Sequence, residues 1–87
     1  MKKDVSIYPA ILTQYKDNLG IVFPDLPGCV SNADNIDEAI SVARKVLELH
    51  LLGMEESKQE LPKPSFIDKI KLDEYDIPLL VDAHMNY

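Results

Sequence analysis

Phe23-Pro24-Asp25-Leu26-Pro27-Gly28-Cys29 is the stretch that decides how this chain folds. Pro24 and Pro27 each fix φ and lack a backbone N–H, so a strand that arrives along Leu19 to Phe23 cannot pair straight through them. Gly28 adds a position where φ can turn positive without a steric penalty. The stretch is a corner, and it must hand the chain from one extended segment to another.

Upstream of the corner, Val5 to Tyr15 reads as the first strand. Val5, Ile7, Pro9 and Ile11 fall on one face, and Tyr8, Ala10 and Leu12 on the other, so neither face is polar and both need cover. Pro9 cannot donate to a ladder and points to a bulge or an edge-facing position. Lys16-Asp17-Asn18 is a polar break of hairpin length, after which Leu19 to Phe23 returns antiparallel to the first strand.

Downstream, Cys29 to Asn32 leaves room for a short third strand. Asn35 followed by Glu38 is a helix start, because the Asn side chain can accept from the third helical N–H and Glu38 can reach back. Asp37 and Glu38 also suit the positive end of the helix dipole. The helix is expected from Ile36 to about Glu56, with Ile36, Ala39, Ile40, Ala43, Val46, Leu47 and His50 on its apolar face and Asp37, Ser41, Arg44, Lys45 and Glu48 opposite. Leu47, Leu49, Leu51, Leu52 and Met54 crowd its far end, which leaves open a broad core contact or a subunit surface. Gly53 reads as an early stop or a close approach.

Glu60-Leu61-Pro62-Lys63-Pro64-Ser65 is an extended connector. Phe66 to Tyr75 reads as loop or a short turn of helix. Ile77 to Ala83 is the last strand, its continuous apolar run suited to an internal sheet position with Pro78 at its beginning. The order strand, strand, strand, helix, strand makes an α+β domain over residues 1–87, a small antiparallel sheet with one main helix on one face. One helix covers one face of a sheet, so the face expected to be left over, assigned to Tyr8, Ala10 and Leu12, calls for a second copy or a partner.

Composition narrows the function. No apolar run approaches the ~20 residues of a membrane span, and no signal-type block precedes the first strand, so a cytoplasmic protein without a membrane partner is expected. A net charge of −6 argues against direct nucleic-acid binding by this chain and favours a basic partner. One cysteine, Cys29, and two distant histidines, His50 and His84, leave no disulfide, zinc or redox pair. Asp25 between prolines reads as a turn stabiliser, Cys29 as a buried small hydrophobe and His50 as a core or interface residue. Asp25, Asp34, Asp37, Glu38, Asp73, Glu74, Asp76 and Asp82 are the carboxylates from which a metal-dependent nuclease site could be built, but their spacing carries no metal signature. There is no phosphate loop, dinucleotide fingerprint or nucleophile motif. No catalytic residue, metal or cofactor is expected.

Tyr8-Pro9-Ala10, Gly20-Ile21-Val22-Phe23-Pro24-Asp25-Leu26-Pro27-Gly28-Cys29, Asp37-Glu38-Ala39, Leu47-Glu48-Leu49-His50 and Leu61-Pro62-Lys63-Pro64-Ser65 together resemble the HicB-type antitoxin domain. The resemblance implies a β-β-β-α-β fold like a truncated ribonuclease H without that enzyme's activity. It implies a protein that binds and sterically inhibits a small basic mRNA-cleaving toxin of the HicA type, and that assembles as a homo-dimer or higher homo-oligomer. Antitoxins of this family usually continue into a DNA-binding segment, and no such segment is expected after the last strand here. Tyr15, Asp17, Phe23 and Asp25, near the corner and the first hairpin, are the expected toxin contacts. Tyr8, Leu12, Leu49, Leu52 and Met54 are assigned to core or self-association. A regulatory or ligand-binding module without a toxin partner and a residual nuclease are the alternatives, and an adjacent short basic reading frame is the discriminating observation.

Overall fold

β1 (Lys3–Gln14) is the strand on which the sheet is assembled. In the computed structural model, which describes residues 3–86, it pairs antiparallel with β2 (Leu19–Val22) on one side and with the last strand, β4 (Asp76–Asn86), on the other. The side chain of Val5 lies outside the described set. β3 (Val30–Ala33) pairs with β2, which gives a four-stranded sheet in the order β3-β2-β1-β4. One long helix, α1 (Ile36–Glu56), packs on one face, and a single 3₁₀ turn (Ile67–Lys69) lies in the return to β4. The fold is the expected α+β arrangement of three strands, a helix and a strand.

The β1–β4 ladder runs residue for residue from Lys3 opposite Asn86 to Thr13 opposite Asp76, so Pro9 causes no bulge. Pro9 faces Leu80 and Pro78 faces Ile11, two steps apart and therefore in pairs of the same kind. A residue without an N–H fits only the non-hydrogen-bonded kind. The N–H groups of Leu80, Asp82 and His84 consequently point to the outer edge, and the His84 N–H does donate outward, to a Glu48 carboxylate oxygen at 3.1 Å. β4 is thus an edge strand and not the internal strand its apolar run suggests, and it begins at Asp76, with Pro78 its third residue. Proline on an edge also removes a donor that another strand could use.

The two apolar faces of β1 take the opposite roles from those expected. Tyr8, Ala10 and Leu12 form the core with Leu19 and Ile21 of β2, Val81 and Ala83 of β4, and Ala39, Ala43, Leu47 and Leu51 of α1. Ile7 and Ile11 lie on the face away from the helix. The register decides this, because Leu12 opposite Ile21 ties the even positions of β1 to the apolar positions of β2. Four alanines, Ala10, Ala39, Ala43 and Ala83, have no exposed surface, which lets helix and sheet approach closely.

The helix spans the expected residues, and the Asn35 half of the expected capping box is in place: Asn35 Oδ1 accepts from the Glu38 N–H at 2.8 Å. Its buried stripe is rotated from the predicted one. Ala39, Ala43, Leu47 and Leu51 recur every four residues, whereas Ile36 and Ile40 are each 44% exposed. Gly53 neither stops the helix nor meets another element, and it costs the helix up to ~1 kcal/mol relative to alanine. The helix ends instead in a Schellman arrangement. Lys58 takes φ 59°, its N–H donates to the Glu55 carbonyl, and the Gln59 N–H donates to the Met54 carbonyl at 2.8 Å.

Candidate protein-binding surface

The corner folds into two successive tight turns. The Leu26 N–H donates to the Phe23 carbonyl at 3.0 Å, the Cys29 N–H to the Leu26 carbonyl at 2.9 Å, and Gly28 takes φ 86°. The Phe23 N–H closes the loop on the Cys29 carbonyl at 3.1 Å. Phe23, Leu26 and Cys29 drive their side chains into the core, so the corner is nailed down at three points. Burial pushes the Cys29 thiol up to about 11, which removes it as a nucleophile at neutral pH.

The connector after the helix is tied to this corner. Asp25 accepts from the Ser65 N–H at 2.7 Å and from the Ser65 hydroxyl at 2.6 Å. Nearby, the Tyr8 hydroxyl donates to the Pro62 carbonyl. Burial, and then the Asp25 charge, raise the Tyr8 phenol above its ordinary value, so it stays a protonated donor. The motif residues at the corner and in the connector, far apart in sequence, are therefore one structural unit.

Between corner, connector and helix lies an open cleft of about 530 Å³. Asp25, Leu26 and Pro27 form one wall, Leu49, His50, Gly53 and Met54 the other, and Gln59 and Pro62 close one end. Leu49 is 63% exposed and Leu52 43%, whereas Met54 packs against the core. A Cβ built at Gly53 would meet no atom within 4 Å.

The four expected contact residues do not make one surface. Tyr15 is 58% exposed, with its ring lying over Gly20, and Asp17 is exposed in the turn before β2. Phe23 and Asp25 follow β2, so they lie at its other end, roughly 10 Å away for a four-residue strand. Phe23 is a correction: at 1% exposure it is a core residue and presents nothing to a partner. Asp25 is half-buried and committed to Ser65. Tyr8 and Leu12 are core, but Leu49 and Leu52 are surface residues on the helix. The cleft escaped the sequence reading because its walls come from segments more than twenty residues apart; only the leucine-rich helix end hinted at it.

Charge is distributed unevenly over the fold. The strand register brings the segments holding Asp17, Asp34, Asp73, Glu74 and Asp76 to one end of the sheet, where α1 also begins with Asp37 and Glu38. Lys16 and Lys71 are the cations in these segments. Asp76 accepts from the Thr13 hydroxyl at 2.7 Å and from the Asp73 N–H at 2.9 Å, and the Asp73 bond is the main cause of its lowered pKa. On the outer flank of β4, Asp82 binds His84 Nε2 at 2.6 Å and Arg44 at 2.9 Å, and both bonds, His84 first, hold it below the usual aspartate range. Among the described residues no three His, Cys, Asp or Glu side chains converge where they could hold a metal ion. No helix among them is long and apolar enough to cross a membrane.

The family model for the HicB-like antitoxin of bacterial toxin-antitoxin systems matches residues 8–84, nearly the whole chain. The chain belongs to the HicB-like antitoxin family. A relative in Haemophilus phage HP1, an uncharacterised 14.9 kDa protein encoded in a rep-hol intergenic region, is 33% identical over 84 residues, covering 93% of this chain. The chain spans 63% of the length of that curated relative. Solved structures share the HicB-like fold. A chain of a toxin-antitoxin complex from Streptococcus pneumoniae superposes with TM-score 0.82 at 20% identity, covering 92% of this chain and 69% of that one. A chain of the HicA3 and HicB3 toxin-antitoxin complex gives 0.73 at 21% identity, over 87% and 95% of the two chains. The N-terminal domain of the Burkholderia pseudomallei antitoxin HicB gives 0.72 at 24% identity, with the same coverages.

Proposed function

We propose that this HicB-like domain neutralises a small basic mRNA-cleaving toxin of the HicA type in the cytoplasm by covering the toxin's RNA-binding surface, with no chemistry of its own. The observation that carries the reading is the crowding of carboxylates at one end of an antitoxin fold. A protein that handles RNA presents cations to phosphates, and an anionic surface competes for those cations. Such a surface raises the association rate more than the affinity, by steering the partner in. Tyr15 and Asp17 stand at this end of the sheet and remain the proposed contacts there; Asp25 is a proposed contact only through the cleft it lines.

The test is to mix the chain with any short basic protein encoded beside it and to follow both RNA cleavage and complex formation; a neighbourhood without such a reading frame counts against the reading. Inhibition is expected at about 50 mM salt, with association slowing steeply toward about 500 mM as the charges are screened. Asp34→Asn/Asp37→Asn/Glu38→Gln is expected to slow association and flatten the salt dependence. A complex that does not form at low salt, or cleavage that continues at full occupancy, refutes the reading.

Self-association is proposed for the sheet face away from the helix. Register lines Val30, Val22, Ile11 and Pro78 into one row across all four strands, with Ile7 and Leu80 beside it. Ile7, Val22, Val30 and Leu80 are solvent-exposed and together leave roughly 400 Å² of apolar surface open, within the ~300–600 Å² range where the largest patch on a monomer is often functional. The row itself carries no charge, and the carboxylate that flanks it, Asp82 opposite Ile7, is paired with Arg44 and His84. Sedimentation equilibrium of the chain alone checks this: a dimer is expected at micromolar concentration, and a monomer in Val30→Glu/Leu80→Glu.

A further inference from the structure

Gly53 has no reason in the folded chain to be glycine. It sits inside α1 with ordinary helical φ, since Gly28 is the only described glycine with positive φ. A Cβ there would touch nothing within 4 Å, so no close helix contact requires its absence. Glycine is the worst helix former after proline, so folding alone favours another residue. What its bare backbone does is leave a gap in the helix wall of the cleft, beside Leu49 one turn earlier and across from Pro27.

We propose that this cleft is the socket for an apolar side chain carried on a cationic segment of the toxin. The inference rests on the antitoxin reading and assigns the place where the partner is anchored. The walls are apolar at Pro27, Leu49 and Met54, and Met54 can adjust to the shape of an inserted side chain. The half-exposed leucine and the missing Cβ together form a depression with a greasy lip, the form taken by pockets that receive a hot-spot residue. Asp25 lines the cleft, and Glu56 and Glu60 belong to the segments that frame it, with Lys58 and Lys63 as the neighbouring cations. On a chain of net charge −6, that setting favours an anchor flanked by Lys or Arg. It disfavours a second copy, whose own carboxylates would come up against these.

Gly53→Ala and Gly53→Leu separate binding from folding, because the new side chains enter open space. The free variants are expected to unfold at a higher temperature than the parent, or at the same one, while Gly53→Leu binds the toxin at least about tenfold more weakly through faster dissociation. The salt dependence of association is expected to stay that of the parent, since no charge has changed. Parent-like affinity in Gly53→Leu overturns the socket while leaving the antitoxin reading intact. A parent chain that binds no toxin overturns both. A Gly53→Leu chain that keeps its toxin affinity but changes its own sedimentation assigns the cleft to a second copy instead, which also overturns the proposal.

Discussion

Asp25→Ala tests whether the corner and the connector are one unit. Asp25 spends both carboxylate oxygens on Ser65, one on the backbone N–H at 2.7 Å and one on the hydroxyl at 2.6 Å. A hydrogen bond to a charged group contributes about 1.5–3 kcal/mol where it is sheltered. Ser65 is exposed and Asp25 half-buried, so water replaces the lost partners easily and each bond counts for well under that. The substitution is expected to lower stability by about 1–2 kcal/mol in total, or roughly 4–16 °C in Tm for a domain of this size. Asp25→Asn retains one good acceptor and is expected to lose about half as much. Urea unfolding followed by circular dichroism measures the loss, and limited proteolysis shows whether cleavage moves into the 59–66 connector. Ser65→Ala removes only the hydroxyl bond, and the double-variant cycle with Asp25→Ala is expected to give a coupling of about 0.5–1 kcal/mol. A second readout comes from Tyr8, whose phenol is raised first by burial and then by the Asp25 charge. Its titration, followed by phenolate absorbance, is expected to move down in Asp25→Ala yet stay above the ordinary tyrosine value. Unchanged stability in Asp25→Ala, or strict additivity with Ser65→Ala, would refute the claim that this carboxylate holds the connector.

Two further outcomes are expected. In Gly20→Ala the new Cβ lies 2.6 Å from Tyr15 Cε2, so the exposed ring must swing away; the substitution is expected to cost about 0.5–1 kcal/mol in the parent and nothing in a Tyr15→Ala background, measured by urea unfolding of the four chains. Asp82 has a folded pKa below its unfolded one, so its contribution to stability is present above the ordinary aspartate value and is lost as pH falls through the lowered value. Carboxyl titration by NMR is expected to show the Asp82 pKa rising in Arg44→Ala while remaining lowered, because the His84 bond, the larger cause, is still made.

Much of this protein was legible in its residue order because much of it is local. Two prolines and a glycine make a corner whatever surrounds them, and Asn35 with Glu38 opens a helix from side-chain and backbone bonds within one turn. The helix span, the element order and the family motifs follow from such short-range constraints. Even so, the corner's meaning changed with the structure. Asp25 reads in sequence as accepting from its own turn, yet it accepts from Ser65, forty residues away.

What only the tertiary structure decided were the choices between equally apolar alternatives. β1 carries apolar residues on both faces, and its period of two cannot say which face goes inward; the pairing of Leu12 with Ile21 settles it and puts Tyr8 under the helix. The same holds for α1, where Ile36 and Ile40 are as hydrophobic as any core residue but lie off the four-residue ridge of Ala39, Ala43, Leu47 and Leu51 that the sheet accepts. Phe23 passes from contact to core, and β4 from interior to edge, because burial and strand order are properties of long-range packing. The cleft over Gly53 exists only once corner, connector and helix meet. Local backbone constraints are written residue by residue, whereas a surface is made by segments that share no sequence neighbourhood, and its outline waits on the packing that brings them together.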